Sequence, residues 1–348
     1  MQDDEYVVDF PTLGFLAADW ISAHCVVPDQ FHKGEPFDMA DWQLWCTVNH
    51  YRIKKSAQWI PDNPLKAAAF QNRRSLVVAP QKTGKGPWSA SIICNEAVGP
   101  SLFAGYARRG DAYDCRDHGC NCGWGYEYDV DEPMGMPRPT PLVQLLASSD
   151  AQTENVYRPL QSMIKLGPLG DQMLIRENFV RLPNDGRIDA VTSAARSRLG
   201  NPVTHVNQDE TGTYTKSNRL REVAETQRRG LAGMGGRAIE TTNAWEPSQN
   251  SVAQTTYYSR SADIFKFFRH PPKGLSYKNK AERRKIHEHV YKGSWWVNLD
   301  DIEGEAAEMM EHDPGQAERF FGNRLVQGAG AWLPEGLWDQ HARAEVNA

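Results

Sequence analysis

The chain has 348 residues, 40% of them apolar and 24% charged, with 39 Lys and Arg against 44 Asp and Glu for a net charge of −5. That balance fits a folded chain of about two domains; it excludes a disulfide-stapled miniprotein and a chain that coats nucleic acid over its whole surface. No apolar run reaches the roughly 18 residues of a membrane helix, and the opening MQDDEYVVDF is acidic where a secretory leader is basic, so a cytoplasmic setting with no membrane is expected.

In chain order, SLVVA (75–79) has the short, β-branched character of a buried strand. A Gly/Lys loop follows, and Pro87 opens a helix expected to run through Glu96. Gly, Pro, Asp and Cys then dominate 105–140, which reads as an insertion or long loop. LVQLLA (142–147) and IDAVTS (188–193) are further strands, separated by a helix near 153–165. A helix over 219–229, with Leu220, Val223, Ala224 and Gln227 at helical spacing, leads to a strand at RAIET (237–241). Beyond about Ser261 strand-like runs are expected to vanish, and 278–288 and 304–321 read as helices of a second subdomain. The alternation predicts an α/β fold with a mostly parallel sheet.

APQKTGKG (79–86) lies where a phosphate-binding loop must lie, after a buried strand and before a helix whose first amides point at an anion. Gly84 would let the backbone approach phosphates and Lys85 would reach their oxygens. Against the pattern G-x-x-x-x-G-K-[ST], Ala79 replaces the first glycine and Gly86 the hydroxyl residue. The alternative is a Lys/Gly surface turn. Hydrolysis also needs an acidic pair at a strand end, one carboxylate for Mg²⁺ and one for water. Asp209 and Glu210 supply it, although VTHVNQ (203–208) is polar for a buried strand and an exposed Asp-Glu turn stays open. Cys115, His118, Cys120 and Cys122 offer four soft ligands that would pin the insertion around Zn²⁺; a reduced, metal-free loop is the alternative. Basic groups that could meet DNA are Arg73-Arg74, Arg108-Arg109, Arg219 to Arg229 and Lys278 to Lys285.

Taken in order, these motifs resemble the ATPase portion of large terminase subunits of tailed bacteriophages, particularly the actinobacteriophage branch, the motors that package DNA into procapsids. FDMADWQLW (37–45) resembles that family's adenine-side motif, which implies Trp42 and Gln43 as base contacts. APQKTGKGPWSA resembles its deviant phosphate loop, implying nucleotide contacts from Gln81, Lys82, Thr83, Gly84, Lys85 and Gly86. LASSDAQTENVYRPL (146–160) carries the characteristic Gln152, and TSAARSRLGNPVTHVNQDETG leads from Arg196 or Arg198, implied as the transition-state arginine, to the acidic pair. IETTNAWEP (239–247) resembles the coupling motif, with Thr241, Thr242 and Asn243 sensing the γ-phosphate.

The resemblance implies a P-loop NTPase core over residues 1–260, with the insertion at 105–140, and a small, mainly helical lid or linker over 261–348. It implies ATP and Mg²⁺, with Asp209 on the metal and Glu210 catalytic, and double-stranded DNA, a portal protein, a small terminase subunit and a ring of like subunits as partners. The expected location is the host cytoplasm, transiently at the procapsid portal. The family's nuclease domain is not expected in this chain: Asp300, Asp301 and Glu303 sit in one local stretch and read as a helix N-terminus. The competing functions are a helicase-like DNA-dependent ATPase and a catalytically weak nucleotide-binding module.

Overall fold

In a computed structural model, which describes residues 6–65, 68–146, 150–177, 179–191 and 201–326, helices α1 (Gly14–His24) and α2 (Asp41–His50) lead into β1 (Arg74–Val78) and α3 (Lys85–Val98). The insertion follows as β2 (Leu102–Tyr106), β3 (Ala112–Asp114), β4 (Gly125–Glu127) and β5 (Pro133–Met136). Next come β6 (Leu142–Leu146), α4 (Asp150–Leu166), β7 (Leu174–Ile175), β8 (Phe179–Arg181), β9 (Arg187–Val191) and β10 (His205–Asp209). The chain continues through α5 (Leu220–Gly230), β11 (Arg237–Thr242), α6 (Val252–Tyr258) and β12 (Ile264–Phe268). It closes on α7 (Lys280–Val290), α8 (Leu299–His312) and α9 (Pro314–Phe320).

The main sheet has the order β12-β1-β11-β10-β6-β9-β8-β7. It is parallel from β12 to β9 and turns antiparallel at β8 and β7. This is the mostly parallel, helix-flanked α/β sheet that the alternation predicted. Leu76, Val77 and Val78 are fully buried, as a central parallel strand covered on both faces requires.

Three expectations change. β10 is buried along its whole length despite its polarity, and α5 satisfies its Gln208: Gln208 Nε2 donates to Ala224 O (3.2 Å) and Gln227 Oε1 (3.1 Å), and Arg228 donates to Gln208 Oε1. That removes the exposed Asp-Glu turn. Strand-like runs do not end near Ser261, since Ile264–Phe268 pairs in parallel with β1 at the sheet edge and turns Phe265 and Phe267 towards the core. The helix after the loop begins at Lys85, two residues before Pro87.

The insertion is two small antiparallel ladders, β2 with β5 and β3 with β4, whose Phe103, Tyr113, Cys115, Cys120 and Tyr128 join the main core. The C-terminal helices bury a separate cluster built on Tyr277, Ile286, Val290, Ile302, Ala306 and Phe321. Among the described residues no helix is long and apolar enough to cross a membrane.

Candidate nucleotide site

The strand register gathers the site at the carboxyl end of the sheet, where parallel α/β sheets bind ligands. Asp209, the last residue of β10, lies opposite Thr241 of β11, and Thr241 lies opposite Val77 of β1, just ahead of the loop. Thr241 Oγ1 donates to Asp209 Oδ1 at 2.6 Å.

Within the loop, Thr83 Oγ1 donates to Pro80 O (2.8 Å), and Lys82 and Gly84 adopt left-handed backbone (φ 66° and 85°). The helix after the loop therefore starts abruptly, with its unpaired amides facing the loop. Lys85 is buried, and its Nζ donates to Ala79 O (2.8 Å) and Pro80 O (2.7 Å). Burial lowers its pKa, and the charges of Glu210 and Asp209 oppose that shift. Burial likewise raises Asp209, against the Thr241 hydrogen bond and Lys85. Glu210 is pushed up to about 7, first by burial and then by Asp209, while Lys85 and the Asn243 amide hold it back. Its backbone is also left-handed (φ 55°), an uncommon conformation for a residue with a side chain.

Gly86 has a steric reason. A Cβ there would lie 2.5 Å from the backbone oxygen of Asn155, because α3 packs closely on α4. The missing hydroxyl is thus excluded by a helix contact. At Gly84 a Cβ would meet the Trp296 ring at 2.7 Å, and Trp296 Nε1 donates to Lys82 O (3.4 Å). Gln81 reaches the C-terminal helices through its amide, which donates to Phe320 O (2.9 Å).

Gln43 Nε2 donates to Gly84 O (3.3 Å) while its Oε1 accepts from the Ala40 amide (3.0 Å), so this residue is aimed at the loop. Trp42 is not an open stacking face. It is 2% exposed, stacked on Phe267 (5.9 Å between centroids) and tilted against Trp88. Thr242 Oγ1 accepts from the Gly212 amide (3.1 Å) and donates to Asn243 O (2.9 Å), which ties the coupling segment to the turn after the acidic pair.

Asn323, which the sequence reading missed, is fully buried in left-handed backbone. Its Oδ1 accepts from the Ala244 amide, and its Nδ2 donates to Val78 O (3.2 Å) and Arg269 O (3.0 Å). One side chain thereby fastens the ends of β1, β11 and β12 to the C-terminal helices; no local motif marks it.

Arg196 and Arg198 lie outside the described residues, as do Trp332 and Trp338. Several basic candidates are engaged in ion pairs: Arg74 and Arg228 with buried Glu240, Arg73 with Asp263, Arg283 with Glu303 and Arg284 with Asp300. Asp300 and Asp301 occupy the first turn of α8, capped by Asn298, as a helix N-terminus favours. His118 does not join the cysteines; its ring lies against Tyr113 at 4.5 Å, and His24 takes its place in the group with Cys115, Cys120 and Cys122.

No family model matches the chain. It is 28% identical over 181 residues to the Gene 13 protein of Mycobacterium phage D29 and 26% identical over 280 residues to the Gene 13 protein of Mycobacterium phage L5. Those stretches cover 50% and 73% of this chain but 27% and 42% of the relatives, so the chain spans less than half of the proteins it matches. The crystal structure of the HK97 bacteriophage large terminase is similar over 90% of this chain and 55% of its own, with a TM-score of 0.61 at 16% identity. The fold is that of a phage large terminase, in line with the resemblance carried by the motifs.

Proposed function

We propose that this chain is the ATPase motor module of a viral DNA-packaging terminase, coupling ATP hydrolysis to movement of double-stranded DNA into a procapsid. The observation that carries the reading is the meeting of Lys85, Asp209 and Glu210, distant in sequence, at the carboxyl ends of β1 and β10 beside an abrupt helix N-terminus. The loop amides and the Lys85 ammonium bind the phosphates, and Lys85 exchanges its two loop carbonyls for phosphate oxygens. Gln43 holds the loop from the base side.

Asp209 and the hydroxyl of Thr241 are hard oxygen donors that fit Mg²⁺, and the buried Asp209 carboxylate gains from any cation beside it. Bound there, Mg²⁺ supplies charge neutralisation of the phosphate oxygens. Glu210, with its pKa near the working pH, takes the proton of the attacking water. Thr241 holds Asp209, and Thr242 and Asn243 connect the acidic turn to β11, so loss of the γ-phosphate is felt along that strand. Asn323 passes the change to the C-terminal helices. Arg196 or Arg198 is the transition-state arginine in this reading, acting within its own subunit or on a neighbour's site in a ring on the portal.

The DNA-packaging part of the reading is supported by the likeness to the HK97 large terminase, and the two relatives are phage proteins; the reading extends to the portal and small terminase subunit as partners and the host cytoplasm as setting. Steady-state ATP hydrolysis with and without double-stranded DNA tests it: turnover stimulated by duplex without strand separation is expected. Strand separation favours the helicase, and nucleotide binding without turnover the inactive module. Supercoiled plasmid with Mn²⁺ should stay uncut by this chain, because Asp300 and Glu303 are engaged by arginines and Asp209 and Glu210 by the ATP site.

A further inference from the structure

We infer that His24, Cys115, Cys120 and Cys122 form a structural zinc site that fastens the insertion to the helix supporting the phosphate loop. It does not depend on the nucleotide reading. The four ligand atoms lie within 4.8 Å of one another, and His24 Nε2 is 3.2 Å from Cys115 Sγ and 3.1 Å from Cys122 Sγ. A tetrahedron with Zn–S bonds of about 2.3 Å and a Zn–N bond of about 2.0 Å has edges of about 3.5–3.8 Å, so small side-chain shifts suffice.

The surroundings are those of a metal ligand set. His24 Nδ1 donates to Trp20 O at 2.7 Å, which fixes the tautomer that leaves the Nε2 lone pair aimed at the sulfurs. Its ring is stacked on Trp20 (4.3 Å, 9°) and met edge-on by Trp124, so its orientation is set by packing. The Trp124 amide donates to Cys122 Sγ (3.4 Å), a contact that stabilises a thiolate. Left-handed Gly119 and Gly123 fold the loop between β3 and β4 tightly enough to bring three sulfurs together.

The pattern in sequence is Cys-x₄-Cys-x-Cys plus a histidine 91 residues upstream. Sulfur-rich tetrahedral donors favour zinc over the hard cations. The other such group among the described residues, His50, Glu96 and His205, is already committed, since Arg237 pairs with Glu96 at 2.6 Å.

His24 closes α1, and α1 packs on α3, whose first residue is Lys85. A metal here would brace a hairpin with little core of its own against the element that carries the loop.

The test uses the full chain, purified untagged and without chelator. Elemental analysis should find about one zinc per chain, and replacement by Co²⁺ should give the visible bands and thiolate charge transfer of tetrahedral sulfur-rich coordination. His118→Ala should keep both signals. His24→Ala should lose the metal or weaken it by about tenfold or more, and His24→Cys should restore a tetrahedral spectrum. Should His24→Ala fail to fold, Cys122→Ser at an exposed position gives the same reading. Metal-free protein with no Co²⁺ spectrum, a disulfide among the three cysteines in place of metal, or loss of metal in His118→Ala but not in His24→Ala would each overturn the site.

Discussion

Restoring the hydroxyl residue that phosphate loops usually carry should harm this protein. In Gly86→Ser the new Cβ starts 2.5 Å from Asn155 O, against 3.4 Å for an ordinary contact, so the α3 and α4 backbones must separate by about 0.9 Å. Overpacking of this kind costs about 1–3 kcal/mol, and the better helix propensity of serine returns roughly 0.5 kcal/mol. A net loss of about 1–2 kcal/mol corresponds to a melting temperature lower by about 1–3 °C for a chain of this size. Thermal unfolding without nucleotide checks it, with Gly86→Ala alongside: the two variants should fall together, because the cost lies in the Cβ. A Gly86→Ser protein that melts at or above wild type and binds Mg²⁺-nucleotide more tightly would refute the steric account of Gly86.

Glu210→Gln should stabilise the nucleotide-free protein at alkaline pH. The carboxyl pKa rises from 4.5 to about 7 on folding, so its contribution is fully present below pH 4.5 and is lost as pH rises through 7. The variant escapes a penalty of about 3 kcal/mol at pH 8, and the two melting curves should converge near pH 4.5; a constant difference across that range would contradict the assignment. Glu96→Ala leaves Arg237 buried without its carboxylate and removes the acceptor of Tyr51 Oη, so chemical denaturation should show a loss of about 3–5 kcal/mol, and a loss under 1 kcal/mol would mean the pair carries no weight. Trp296→Ala should change the affinity for ATP through the Gly84 face while leaving the turnover of bound ATP within a few-fold, since the ring touches the loop and not the acidic pair; equal affinity in the two proteins would remove Trp296 from the site.

What could be read from the sequence is what the chain writes locally. The strand at 75–79, the loop, the acidic pair and Thr241 to Asn243 each depend on neighbours a few residues away, and the sheet register then brings them together. The polarity of β10 misled because the partners of its Gln208 belong to α5, a later element. His118 was the nearest histidine to the cysteines in sequence, whereas His24 is the nearest in space, across a separation that no spacing rule records. Ile264–Phe268 is a short apolar run broken by Lys266, with no clean alternation to mark it as a strand, and it follows a stretch rich in polar residues and sits at the sheet edge. Gly86 looked like a defect until the Asn155 carbonyl was placed beside it, and Asn323 has meaning only through three strand ends that meet around it.

The central claim, that Lys85, Asp209 and Glu210 make an ATP-hydrolysing site, is tested most directly by measuring nucleotide affinity and steady-state turnover on the same preparations of wild type, Lys85→Ala and Glu210→Gln. Because the ammonium holds phosphate and the Glu210 carboxylate takes the water's proton, Lys85→Ala should lose affinity. Glu210→Gln should bind ATP as wild type does while turnover falls by about 10²-fold or more. Wild-type turnover in Glu210→Gln, or undiminished ATP affinity in Lys85→Ala, would contradict the account.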